Sequence, residues 1–235
     1  MKMIVSDYDD TFYISDDDIK NNIILVDEFM KNNCFVIATG RSYFDYKNKK
    51  DLYGIKCNYL IINHGATIIK NNNIIYNLVI DNFTKNELIK DLRLDTTISN
   101  FACSDINSRV SIDSDNLTKI HVKYNNSTEA KKIKKILTCK YSNKINNFLV
   151  CKDEAIEIVA KEVNKSNAIN FIAQLEKINE NNIYTIGDSY SDIEMIKNFK
   201  GYAMINSIKE LKELSTKQYK SVSNLILEVM SDKSE

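Results

Sequence analysis

The sequence contains no proline and no tryptophan, and only five glycines and two histidines among 235 residues. The missing proline, set beside abundant Asn, Ile and Lys, reads as a coding preference without functional meaning. With His64 and His121 as the only histidines, and five scattered cysteines that form no Cys-x-x-Cys pair, the sequence argues against a zinc site. The cysteines are odd in number and sit mostly among apolar neighbours, as buried thiols in a reducing compartment do. Apolar runs end after a handful of residues, Ile23 to Val26 being typical, far short of the roughly 20 that span a bilayer. Charge of one sign is also lacking in excess: 32 Lys+Arg balance 32 Asp+Glu, so no global field steers the chain to nucleic acid or an anionic membrane. Met1 leads almost directly into a strand pattern, so no signal peptide is expected and the expected location is cytoplasmic.

What is present is the composition of a soluble globular protein, 43% hydrophobic and 27% charged, enough for one large domain or two modest ones. Met3-Ile4-Val5 predicts a buried strand that runs into Asp7. Ser15-Asp16-Asp17-Asp18 offers cap oxygens and negative charge to a helix start, and Ile19, Ile23, Val26 and Met30 follow at helical spacing. Cys34 to Ala38 predicts a second strand, ending in Thr39-Gly40-Arg41. Tyr59 to Ile62 predicts a third, ending in Asn63-His64-Gly65. Non-alternating strands interleaved with helices are the pattern of a parallel sheet covered on both faces. Residues 67–69 and 74–76 read as a hairpin. Lys47, Lys49 and Lys50 fall in a stretch that reads as a loop, and Lys131, Lys132, Lys134 and Lys135 on a helix; both groups read as solvated.

The middle third changes character. Helices are predicted at 84–92 and 127–138, with strands near 97–103, 107–112, 118–124, 145–151 and 155–160. Alternation in Lys119-Ile120-His121-Val122-Lys123 suits an antiparallel sheet with one solvated face, where His121 is expected to be exposed and inert. The α/β pattern resumes at Lys165 with a helix over 167–178, a strand at 183–186 running into Gly187-Asp188, a helix over 192–199 and a strand at 202–205. The expected organisation is an α/β core of residues 1–80 and 156–235, split by an α+β cap of residues 81–155.

Three polar clusters stand at predicted strand ends: Asp7 to Thr11, Thr39-Gly40-Arg41 and Gly187-Asp188-Ser189. In an open parallel sheet ligands bind beyond the carboxyl ends of the strands. Crowded carboxylates from Asp7, Asp9, Asp10 and Asp188 are costly unless a cation neutralises them or some protonate. Oxygen donors without His or Cys favour a hard ion, Mg²⁺ first. Thr39 offers a hydroxyl, Gly40 an amide that no Cβ shields, and Lys165 a compact positive charge for a phosphate oxygen.

Taken together, these motifs give the chain a resemblance to the haloacid dehalogenase-like hydrolases, and within them to the Cof-type (class IIB) branch of sugar-phosphatase-like proteins. Asp7-x-Asp9-x-Thr11 resembles that family's first motif, Thr39-Gly40-Arg41 its second, Lys165 its third, and Gly187-Asp188-Ser189-Tyr190-Ser191-Asp192 its fourth. Asn63-His64-Gly65-Ala66 and Ala203 to Ser207 resemble two further stretches. The resemblance covers nearly the whole length. It implies a Rossmann-like core with an inserted cap of the C2B type, and Mg²⁺-dependent hydrolysis of a small phosphorylated metabolite, a sugar phosphate or cofactor phosphate. It implies Asp7 as nucleophile and Asp9 as general acid and base. Metal ligation would fall to Asp7, Asp9 through its carbonyl, and Asp188, with Asp192 behind them. Thr39, Gly40 and Lys165 would bind phosphate, and Arg41 and His64 are candidates for substrate contact. No nucleic-acid or membrane partner is expected, and the chain is expected to be a monomer or weak homodimer. Asp10, His64, Ser166 and Ser191 depart from the family's usual Gly, Asn, Gly and Asn without removing a catalytic group. A response-regulator receiver also clusters acids with a Thr and a Lys, but it carries its acceptor on a central strand and is about half this length. The cap is expected to close over the core on hinges near Asp81 and Ile156.

Overall fold

The computed structural model describes residues 1–232. It begins with β1 (Met3–Asp7), α1 (Asp16–Phe29), β2 (Cys34–Ala38), α2 (Tyr43–Tyr53), β3 (Tyr59–Ile62), β4 (Thr67–Lys70) and β5 (Asn73–Asn77). Every residue of β1, β2 and β3 is buried, as strands sandwiched between two helical layers must be. Ser15 caps α1 by accepting from the Asp18 amide.

The helix α2 replaces the loop expected around Lys47 to Lys50. Its lysines hide the apolar periodicity, but the punctuation is clear. The Ser42 side chain accepts from the Asp45 amide, and Gly54 closes the helix at φ 66, a left-handed conformation that suits glycine.

Next come α3 (Asn82–Leu94), β6 (Ile98–Ser104), β7 (Arg109–Val110), β8 (Lys119–Tyr124), α4 (Ser127–Lys140), β9 (Ile145–Val150) and β10 (Ala155–Ala160). The strand expected over 107–112 is the two-residue β7. The chain ends with α5 (Lys165–Glu176), β11 (Ile183–Gly187), α6 (Ile193–Asn198), β12 (Lys200–Met204), α7 (Lys209–Leu214), β13 (Gln218–Tyr219) and α8 (Val222–Ser231).

Two sheets result. The larger has the order β13-β12-β11-β1-β2-β3-β4-β5, parallel from β13 to β3 and antiparallel beyond. One face packs Val26 and Phe29 of α1 and Leu225 and Ile226 of α8, and the other packs Ile169 and Ile172 of α5 with Met195 of α6. The smaller sheet has the order β7-β6-β8-β10-β9 and is antiparallel throughout. On one face Ile120, Val122, Ile156 and Ile158 bury against Leu88 and Leu92 of α3 and Leu137 of α4. Alternation sends Lys119, His121 and Glu157 to the opposite face, toward the core. The smaller sheet runs to Ala160, because β10 pairs with β8 and β9, so its last strand lies beyond the expected division at residue 155.

Candidate active site

The order of the larger sheet places β1 between β2 and β11, so the polar ends of all three open on one edge. Asp7 ends β1 and is buried. After it the chain curls back: the Phe12 amide donates to the Asp7 carbonyl and the Tyr13 amide to the Tyr8 carbonyl. Asp10 takes φ 56 in that curl, a left-handed conformation that favours glycine and that Asp tolerates better than most residues.

Lys165 opens α5 and is 1% exposed. Its ammonium donates to Asp7 Oδ1 at 2.5 Å and to Asp192 Oδ1 at 2.6 Å. Asp192, fully buried, accepts on Oδ2 from the Asp188 amide, the Ser189 amide and the Ser189 hydroxyl at 2.9–3.1 Å. Gly187 makes room for this, because a Cβ there would lie 2.5 Å from the Asp192 carboxyl carbon. Asp188 accepts from the Thr11 hydroxyl at 2.8 Å.

Asp7, Asp188 and Asp192 each present a carboxylate oxygen, all within 4.8 Å of one another. Burial pushes the Asp7 carboxyl well above its ordinary pKa, with Asp192 and Asp188 adding to the rise and Lys165 opposing it. Burial and the charge of Asp192 likewise raise Asp188 to about 6. An oxygen-only group strained by its own charge is what a hard cation relieves, so the donor set fits a divalent ion. Asp192 already spends both oxygens on protein donors, which leaves Asp7 and Asp188 with the capacity to ligate.

Asp9 faces elsewhere. Arg41 Nε and Nη2 clamp its carboxylate at 2.8 and 2.6 Å, a bidentate pair. The hydroxyl oxygen of Thr39 accepts from the Arg41 amide at 3.1 Å. Asp7, Asp9, Thr39, Gly40, Arg41, His64 and Asp188 all line one cleft of about 810 Å³ between the two sheets, with Lys165 beneath Asp7. His64, at φ 60, is buried, stacks on Phe148 with centroids 4.5 Å apart, and bonds Glu157 through Nε2.

His121 departs from the exposed, inert residue that alternation predicts: its Nδ1 lies 3.1 Å from Glu157 Oε1. Alternation identifies a second face but not what that face meets. Lys119, Glu157 and Arg109 of the smaller sheet also reach this cleft and were not singled out in the sequence. A signal for Glu157 exists, since it is the one charged residue in the apolar run Ala155–Ala160.

Residues 4–154 and 94–225 match a family described as haloacid dehalogenase-like hydrolase. The chain belongs to the haloacid dehalogenase-like hydrolases. Relatives named as putative phosphatases include one from Buchnera aphidicola and one from Mycoplasma genitalium. The one from Buchnera aphidicola is 29% identical over 76% of each chain. The one from Mycoplasma genitalium is 35% identical over 43% of this chain, a stretch that spans only about a third (35%) of that relative. The crystal structure of SMU.1108c from Streptococcus mutans superimposes with a TM-score of 0.85 at 20% identity, over 99% of this chain and 100% of the other, and so has the same fold.

Proposed function

We propose that this hydrolase is a Mg²⁺-dependent phosphomonoesterase acting on a small phosphorylated metabolite, a sugar phosphate or cofactor phosphate, with Asp7 as its nucleophile. The observation that carries the reading is the Asp7–Lys165–Asp192 chain beside Asp188, at the floor of a cleft walled by Thr39 and Gly40. The names of the two relatives support the phosphatase class.

In this reading one Asp7 oxygen attacks phosphorus and the P–O bond to the leaving group breaks, giving an aspartyl-phosphate. Lys165 holds the other Asp7 oxygen and helps keep the carboxylate ionised against the cost of burial. Asp9 donates a proton to the departing oxygen, then takes one from the water that attacks phosphorus of the intermediate; the P–O bond to Asp7 breaks, Asp7 is regenerated and inorganic phosphate is released. For this Asp9 must leave its Arg41 clamp, which couples proton transfer to a side-chain rearrangement at the cleft mouth. In this reading the Thr39 hydroxyl and the Gly40 amide, both at the cleft wall, bind the phosphoryl oxygens. Asp7 and Asp188, with the Asp9 carbonyl beside them and Asp192 behind, would hold a divalent ion, which would supply positive charge against the phosphoryl group in transfer.

The test is release of phosphate from p-nitrophenyl phosphate with Mg²⁺ or with chelator. Turnover is expected only with the ion and only with Asp7 intact. Undiminished turnover in Asp7→Asn, or in excess chelator, would refute the assignment.

A further inference from the structure

Glu157 and Lys119 come from neighbouring cap strands and are 8% and 5% exposed. The Lys119 ammonium donates to Glu157 Oε1 at 2.7 Å and to the Gly40 carbonyl at 2.5 Å. Glu157 also receives His121 Nδ1 on Oε1 and His64 Nε2 on Oε2. The space that a Gly40 side chain would fill is taken by this cluster: a Cβ there would lie 2.5 Å from His64 Cε1 and 3.2 Å from Glu157 Oε2. Glycine at this position therefore admits the cluster, where the sequence suggested only that it opens an amide to phosphate.

The contact completes a pattern in the loop. The Thr39 carbonyl accepts from the His64 amide and the Arg41 carbonyl from the Asn63 amide, both core residues. The Gly40 carbonyl between them is held by the cap, through Lys119. A planar peptide fixed at its carbonyl is fixed at the following N–H. Here that N–H belongs to Arg41 and donates to the Thr39 hydroxyl oxygen. Lys119 thus reaches Thr39 through one rigid peptide unit.

We propose that Lys119 and Glu157 are positioning residues, supplied by the cap, that set the orientation of the Thr39 hydroxyl for phosphate through the Gly40–Arg41 peptide, without touching the substrate. This rests on the reading of Thr39 and Gly40 as the phosphate grip. Stability alone is a poor reason for such a cluster, because buried ion pairs contribute little beyond what apolar packing of the same volume does. Glu157 keeps the Lys119 ammonium compensated, while Lys119 ties the cap's base to the loop that must not move.

The experiment uses Lys119→Met/Glu157→Gln, which removes both charges and leaves no buried ion unpaired, with Lys119→Arg as the conservative rescue. Inorganic phosphate, which has no leaving group, is measured as a competitive inhibitor beside p-nitrophenyl phosphate as substrate. The double variant is expected to weaken phosphate inhibition and raise KM together by about tenfold, the loss of one charge-assisted hydrogen bond, while Lys119→Arg stays within about threefold. If phosphate inhibition is unchanged while KM rises, the two side chains contact the leaving group and the proposal falls. If only the melting temperature drops, the cluster is structural and the proposal falls equally.

[¹⁵N]Glycine labelling reads the geometry independently of turnover, since the chain has only five glycines. The Gly40 amide is expected to shift in the double variant while Gly54 does not; an unmoved Gly40 signal overturns the contact. Wild-type protein that neither hydrolyses the ester nor binds phosphate refutes the phosphatase reading instead, and the glycine spectrum still decides whether Lys119 orients the loop.

Discussion

Acids with little access to water line both walls of the cleft, and their charge is handled in opposite ways. On the core side burial and mutual repulsion raise Asp7 well above its ordinary range and Asp188 to about 6. On the cap side burial would raise Glu157 too, yet Lys119, His121 and His64 hold it well below. The core group shares one ammonium, Lys165, between Asp7 and Asp192, whereas Glu157 alone has three donors. A cluster short of positive charge is built to be completed by a ligand. A cluster that brings its own is built to stay as it is.

Substitutions can break this contrast. The largest effect is expected from Asp7→Asn: turnover falls at least about 10⁴-fold, measured as phosphate release, because in the proposed mechanism this carboxylate is the nucleophile. Its stability in chelator should stay near wild type, since the change also removes like-charge repulsion, and a urea melt checks this. Glu157→Gln is expected to do the reverse for stability, costing about 3–5 kcal/mol in the same melt by leaving Lys119 buried without its carboxylate. If Glu157→Gln melts like wild type, the cap cluster is not a self-compensated unit.

The pH dependence sharpens the contrast further. Asp188 has an unfolded pKa of about 3.9 and a folded value of about 6. Its contribution is therefore fully present below the unfolded value and lost as pH rises through about 6. Glu157 is depressed, so its contribution is present above its unfolded pKa of about 4.3 and lost only at lower pH. In chelator, stability should increase from about pH 7 to about pH 5, by up to about 1.4 kcal/mol for each unit of pKa difference; Mg²⁺ should flatten the trend by favouring the ionised acids. Thermal melts at the two pH values check this, and a loss of stability toward pH 5 in chelator would contradict it.

The smallest effect belongs to the rim. Arg109 of β7 pairs with Asp45 of α2 at 2.5 Å, but its side chain is 61% exposed. Arg109→Ala should cost no more than about 1 kcal/mol of stability. A larger loss would move the anchoring of the cap from the buried cluster to its edge.

Much of the core site was legible because parallel strands carry their polar ends to one edge by construction. Asp7, Thr39 and Asp188 each follow a short apolar run, and the alternation of strands and helices implies the sheet that aligns them. Lys165 announced itself by preceding a helix, although its partnership with Asp192 did not, because that depends on how α5 packs beside the Asp188 loop. The helix α2 was hidden by its lysines, and its signals were the cap pair Ser42 and Asp45 and the closing Gly54. On the cap side alternation identified two faces without saying which neighbour the polar one meets.

Local patterning along the chain sets the order of buried strands, the motif residues at their ends, and the excess of carboxylates over local positive charge in the core. These are short-range facts, set by period-two and period-3.6 patterning and by what immediately follows each strand. Packing in three dimensions is what brings Arg41 to Asp9, Glu157 to His64 93 positions away, and Lys119 across from the cap to the carbonyl of Gly40. Those pairings depend on how two sheets, separately patterned, are set against each other, and no local periodicity encodes that distance.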